Sequence, residues 1–118
     1  MTNTTTKKAT RKALQQVENA AVLEALKTLP VDDNGYFTST PRWVGRLRHC
    51  NADVWALEDG ALLLRSYSTV VAAILPDGTG IDFLRYVYGY TATSCKQIGK
   101  FFSDYSVYWT KVLTYRDI

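Results

Sequence analysis

The chain has 118 residues, 47% of them apolar, 21% charged and 13% aromatic, with a formal net charge of +3. A chain of this length forms one domain and buries roughly two-thirds of its unfolded surface, so a packed core needs no staples. No run approaches the roughly 18 uninterrupted apolar residues of a membrane span.

The amino terminus, Met-Thr-Asn-Thr-Thr-Thr-Lys-Lys, has no apolar signal region, which points away from secretion and towards the cytoplasm. Residues 1–9 are polar and Thr-rich and read as a disordered tail, leaving 10–118 as a single domain. From Thr10, a candidate N-cap, the pattern becomes helical: Leu14, Val17, Ala21, Val22, Leu26 and Leu29 recur at spacings of three and four. Pro30 stops that helix by pushing the preceding residue out of the α region. Asp32-Asp33-Asn34-Gly35 is a turn signal, and Tyr36-Phe37-Thr38 a short strand. Thr40-Pro41 resembles an N-cap followed by a first-turn proline, so a short helix is expected over 41–48. The alternative is an edge strand with Arg42, Val44, Arg46 and Arg48 on one face.

From Val54 the period changes to two. Val54 to Leu57, the turn Glu58-Asp59-Gly60, and Ala61 to Tyr67 form a hairpin. Val70 to Leu75 is a continuous apolar, β-branched run suited to a strand with both faces covered. Pro76 to Gly80 turns, and Ile81 to Tyr88 alternates as a fourth strand. Short connections imply an antiparallel meander. Ser94 and Gln97 have capping-box spacing, opening a helix over about 94–105 whose apolar stripe is Cys95, Ile98, Phe102 and Tyr105, with Phe101 beside it. Ser106 to Tyr115 alternates again as a closing strand. The expected fold is therefore α+β: an N-terminal helix and a meander of four to five strands packed against the second helix.

Charge is uneven. Residues 1–50 hold eight Lys or Arg against four Asp or Glu, whereas 51–118 hold six against seven. Lys7, Lys8, Arg11 and Lys12 form one basic cluster, and Arg42, Arg46, Arg48 and His49 another, an electrostatic footprint suited to polyanions. Arg11 and Lys12 also sit at the end of a helix that the dipole disfavours for cations.

Three pieces of the chain, Leu64 to Ile74, Tyr90 to Ser94 and Lys96 to Phe102, resemble a small domain of phage, plasmid and bacterial proteins. In that family a Ser-Tyr-x-Thr-x-Val-Ala strand precedes a Tyr-Ser-x-Thr-Thr-Ser-x-His helix start, and no activity is established. The likeness covers about 40 residues, over 64–102. Gln97 stands where the family usually has His, and Thr91 where it usually has Ser. Read from the residues themselves, Thr91, Thr93, Ser94 and Gln97 form a structural corner between strand and helix, with Tyr67 or Tyr90 packed over it.

Little here assembles a reaction centre. Nucleophilic catalysis needs a nucleophile, a base and an orienting group, yet the single histidine, His49, is adjacent to Cys50, and adjacent side chains point apart. Cys50 and Cys95 read as free thiols of a reducing compartment. One His and two Cys lack metal-ligand spacing, and the pairs Asp32-Asp33 and Glu58-Asp59 sit at turn signals. No catalytic residue, metal or cofactor is expected. Basic and aromatic neighbours do occur, at Arg42, Trp43, Arg46 and Arg48 and again at Arg85, Tyr86 and Tyr88. Cations supply phosphate contacts and aromatic faces stack on bases, while the same residue types anchor protein interfaces. The expectation is a non-enzymatic accessory protein of a phage or mobile element, working in the bacterial cytoplasm. It would block a host protein or ribonucleoprotein, as an anti-CRISPR inhibitor does; direct nucleic-acid binding is the alternative. Homodimerisation through the first helix or the last strand stays open.

Overall fold

A six-stranded sheet lies between two helices, and its strands stand in chain order from one edge to the other. The structure is a computed structural model; it describes residues 3–89, 91–105 and 111–117, with side chains described from residue 10 onward. The elements are α1 (Asn3–Lys27), β1 (Arg42–Arg46), β2 (Ala52–Ala56), β3 (Leu62–Ser66), β4 (Thr69–Ile74), β5 (Gly80–Asp82), α2 (Leu84–Val87), α3 (Ala92–Asp104) and β6 (Val112–Thr114). The α+β class holds. Strands β1 to β5 are the antiparallel meander, and β6 joins parallel to β5 after the chain has crossed over through α2 and α3.

Both faces of the sheet are covered, which is why β4 is buried along its whole length and reads as an unbroken apolar run. On one face Ile98 and Phe101 of α3 meet Val54, Leu64, Val71, Ala72 and Ile74. On the other, Val22 and Leu26 of α1, with Leu29 and Val31 of the following loop, meet Leu63, Val70, Ala73, Ile81 and Phe83.

Only the second half of α1 is a core helix. Its backbone runs back to Asn3, through the segment expected to lack structure, so Thr10 lies inside the helix and is not its N-cap. Leu14 and Val17 are 64% and 69% exposed, although they continue the apolar stripe. Direction explains this: Gln15, Glu18 and Asn19 are the side chains of that stretch turned to the sheet, and Leu14 and Val17 lie on the exposed side of the helix. Where α1 does reach it, polar side chains close the β6 edge. Gln15 Nε2 donates to Thr114 O (3.0 Å), Asn19 Nδ2 to Arg116 O (2.8 Å), and Glu18 Oε2 accepts from Thr114 N (2.8 Å). An edge strand covered in this way offers no template for further pairing.

Four local expectations change. Residues 42–46 are strand β1 and not a helix, pairing Trp43 with Trp55 and Arg46 with Asp53. A bulge between Trp43 and Gly45 breaks the alternation, so Arg42 pairs opposite Ala56 while Arg46 pairs opposite Asp53, on the other face. An eight-residue helix is marginal by itself, whereas strand pairing satisfies the backbone of both partners. Tyr36 to Thr38 contributes only a bridge, Val31 to Phe37. The strand expected over 81–88 ends at Asp82, whose Oδ1 accepts from Leu84 N at 3.1 Å and starts the single turn α2. Helix α3 opens one turn early: Thr91 is the N-cap, its Oγ1 accepting from Ser94 N at 3.1 Å. Of the closing strand, 106–110 lie outside the described residues, and β6 spans three residues.

Candidate functional site

Chain direction decides which loops meet. Strands β1, β3 and β5 run one way and β2 and β4 the other, so the β1–β2 and β3–β4 turns share one end of the sheet. The start of α3 lies there too, because Ser66 at the end of β3 bonds the side chains of Ser94 and Gln97. Gln97 is therefore not reaching back to cap the helix. It is buried and holds α3 to β3, which realises the corner in a form the capping-box spacing did not suggest. Thr93 faces the surface. Tyr67 is exposed beside the corner, lining clefts with Thr93, Ser94 and Gln97, and Tyr90 lies outside the described residues.

The β1–β2 turn is closed by Cys50 N donating to Leu47 O (3.1 Å) and by Arg46, whose Nε and Nη2 donate to Cys50 O (2.9 Å) and Asn51 Oδ1 (2.8 Å). Those two bonds hold the guanidinium in place and leave three of its five N–H groups. His49 occupies the left-handed region at φ 61°, a conformation His tolerates better than most residues. The β3–β4 connection has two residues, Tyr67 and Ser68, and Tyr67 has φ 56°. Gly is the usual occupant of such a position, and a bulky residue there is strained by about 1–3 kcal/mol.

Three adjoining clefts share Tyr67 as a wall. The largest, about 570 Å³, is lined by Trp43, Arg46, Asn51, Ala52, Asp53 and Tyr67. A second, about 310 Å³, runs past His49, Cys50, Asn51 and Tyr67 to Thr93, Lys96, Gln97 and Lys100 on α3. The third, about 60 Å³, places Tyr67 beside Tyr88. Trp43, Tyr67 and Tyr88 are 55%, 61% and 63% exposed.

Asp53 is the one carboxylate among the described residues lining these clefts. Its charge is engaged: Arg65 Nε donates to Oδ1 (3.1 Å) and Nη2 to Oδ2 (2.9 Å), and Trp55 Nε1 also donates to Oδ1 (3.1 Å). The Arg65 guanidinium in turn lies 4.9 Å from the Trp55 ring centroid and 5.7 Å from that of Phe37. Such stacking is worth roughly 0.5–2 kcal/mol and keeps the ion pair in one geometry.

Of the residues the sequence singled out, Trp43 and Arg46 share the first cleft, Arg48 lies exposed just beyond β1, and Tyr88 joins through Tyr67. Arg42, exposed on the other face of the sheet, lines a separate cleft with Pro41 and Glu58. Arg85 and Tyr86 do not. Tyr86 packs edge-on against Tyr115, its hydroxyl donates to Asp33 Oδ1 (3.3 Å), and it lines a separate cleft beside α1. Burial and the Asp33 carboxylate both hold its phenol above the ordinary range. Tyr67, Asn51, Lys96 and Lys100 were missed as binding residues. The Gly-free turn Ser66-Tyr67-Ser68-Thr69 was the one available signal for them.

His49 and Cys50 both line the second cleft, but the Cys50 thiol donates to Arg48 O (3.4 Å), and no carboxylate is among that cleft's described lining. Cys50 and Cys95 are free thiols. The turn carboxylates serve their own turns. Asp32 accepts from Asn34 N and Tyr36 N, Asp59 from Ala61 N, and Asp77 from Thr79 N. No group of three metal-ligating side chains, and no helix long and apolar enough to cross a membrane, occurs among the described residues. Comparison of the chain with protein-family models, curated proteins and solved structures gave no match.

Proposed function

We propose that the chain is a non-enzymatic accessory protein of a phage or mobile element that acts by occupying a surface of a host macromolecule, an anti-CRISPR-type inhibitor of a defence complex being its concrete form. The observation that supports this reading is the gathering of Trp43, Tyr67 and Tyr88, each more than half exposed, beside Arg46 at one end of the sheet. Trp, Tyr and Arg carry most of the energy in protein interfaces, and a rigid scaffold beneath them limits the ordering cost of binding. Here the scaffold is two hairpin turns fixed by backbone and Arg46 hydrogen bonds.

Direct contact with nucleic acid is the second reading, favoured by the cations Arg46, Lys96 and Lys100 that line the same clefts as Trp43 and Tyr67. Both use the same surface. The test is recovery of partners from a bacterial lysate by the tagged protein, alongside a Trp43→Ala/Tyr67→Asn variant. A stoichiometric partner retained by the parent protein and lost by the variant is expected. Recovery of none, or of one indifferent to the substitutions, overturns the reading.

A further inference from the structure

The end of the sheet carries a pattern more specific than exposed aromatics. Its exposed rings are joined through Tyr67, which lines one cleft with Trp43 and another with Tyr88. Arg46 lines the first of these with Trp43 and Tyr67, and Lys96 and Lys100 line a further cleft with Tyr67. The central part of a protein–protein interface is depleted of charge and its apolar groups are massed together. Here Arg46, Lys96 and Lys100 line the same clefts as exposed rings, and Asp53, the one carboxylate among the described residues lining them, is tied up by Arg65. Cations beside exposed rings suit a single phosphodiester strand, which offers both phosphates and π-faces.

Resting on the reading that this surface is where the protein binds, we infer that it takes a single strand of nucleic acid, with Trp43, Tyr67 and Tyr88 stacking on bases and Arg46, Lys96 and Lys100 meeting phosphates. A duplex keeps its bases paired and offers no faces to these rings. The strained conformation of Tyr67 fits the same role, because the left-handed turn lifts its ring out of the sheet at the wall common to all three clefts. Lys100 is shared with Asp104 at 3.6 Å, so Lys96, exposed and without such a bridge among the described residues, is the stronger phosphate contact.

Fluorescence anisotropy with labelled 20-mers of deoxythymidine and of uridine, and with a duplex of equal length, tests the inference. Single strands are expected to bind at least tenfold more tightly than duplex, with log affinity falling against log salt at a slope of about −2 for three phosphate contacts. Trp43→Ala should weaken binding about tenfold, the loss of one base stack. Lys96→Gln should reduce the slope by about 0.7. Lys27→Gln, on the outer face of α1, and the pair Arg11→Gln/Lys12→Gln should change affinity less than twofold. Urea midpoints of each variant confirm that the fold survives. Absence of single-strand binding at low salt, equal binding of duplex, or binding that depends on Arg11 and Lys12 and ignores Trp43 and Lys96 overturns the inference. A Trp43-dependent protein partner that persists after nuclease treatment, with no oligonucleotide bound, overturns it while leaving the proposed function standing.

Discussion

Replacing Gly35 by alanine separates two costs that usually arrive together. Gly35 has φ +83°, and its carbonyl accepts from Val70 N at 2.7 Å, pinning the 31–38 loop to β4. A Cβ there would stand 2.5 Å from Thr69 Cγ2, 2.9 Å from Val70 O and 3.3 Å from Val87 Cβ. The Val70 carbonyl belongs to a buried central strand and cannot yield without disturbing its neighbours. Gly60 provides the control, with φ +95° and nothing within 4 Å of its built Cβ. Both substitutions incur the left-handed strain of about 1–2 kcal/mol, but only Gly35→Ala adds overpacking of about 1–3 kcal/mol. Gly60→Ala should therefore lose about 1–2 kcal/mol and Gly35→Ala about 2–5 kcal/mol, the latter a large share of the roughly 5–15 kcal/mol available to a domain. Urea titration followed by tryptophan fluorescence measures both, as midpoint shifts at constant slope. Equal losses within about 0.5 kcal/mol, the usual scatter for surface changes, would refute the docking of this loop on β4. The consequence extends to the candidate surface, since the same loop carries Phe37, on which Trp55 and Arg65 rest.

Three further outcomes are expected. Ser66→Ala leaves the buried Gln97 carbonyl oxygen without its donor and should cost about 1–3 kcal/mol, with Ser66→Ala/Gln97→Met recovering part of it; no loss would refute the polar tie between β3 and α3. Burial holds the Asp82 carboxyl above its ordinary value of 3.8, against the opposing Leu84 N–H and the charges of Arg116 and Arg85. The folded state thus takes up a proton more readily than the unfolded chain, and Asp82 costs stability as pH rises through its raised folded value. Asp82→Asn, which still accepts from Leu84 N, should be more stable than the parent at pH 7, the difference fading as pH falls below 3.8; a pH-independent difference refutes this. Leu14→Gln should shift stability by no more than about 0.5 kcal/mol, because its side chain lies on the exposed side of α1; a larger loss in the urea midpoint would show that something covers it.

Elements whose own residues form a periodic, well-bounded pattern were legible in the chain: the β2–β3 hairpin, the buried β4, helix α3 and the C-terminal half of α1. In the strands and in α1, side-chain spacing matches the face that is covered, so local pattern and tertiary contact agree. In α3 the covered face is Ser94, Gln97, Ile98 and Phe101, which leaves Cys95 of the expected stripe exposed and Phe102 and Tyr105 half-buried, because the polar tie of Ser94 and Gln97 to Ser66 sets the helix's rotation. Segment 41–48 shows the opposite case. Pro41 and the Trp43–Leu47 spacing favour a helix locally, but the next strand decides the matter, because β2 presents Trp55 and Asp53 to pair with Trp43 and Arg46. The alternation over 81–88 was likewise overruled by the Asp82 carboxylate capping a helical turn, which carried Arg85 and Tyr86 away from the other candidates.

The class of the fold, the covering of both faces of its sheet and the basic-aromatic character of the stretch after Pro41 can all be read along the chain. Which of those residues become neighbours is set by packing alone. A turn residue such as Tyr67 and a helix-surface lysine such as Lys96 carry no periodic signal, since nothing in their own segments depends on what they face. Tyr67 meets Trp43 and Arg46 because antiparallel strands return alternate turns to the same end, and Lys96 meets Tyr67 because Ser66 fastens α3 there.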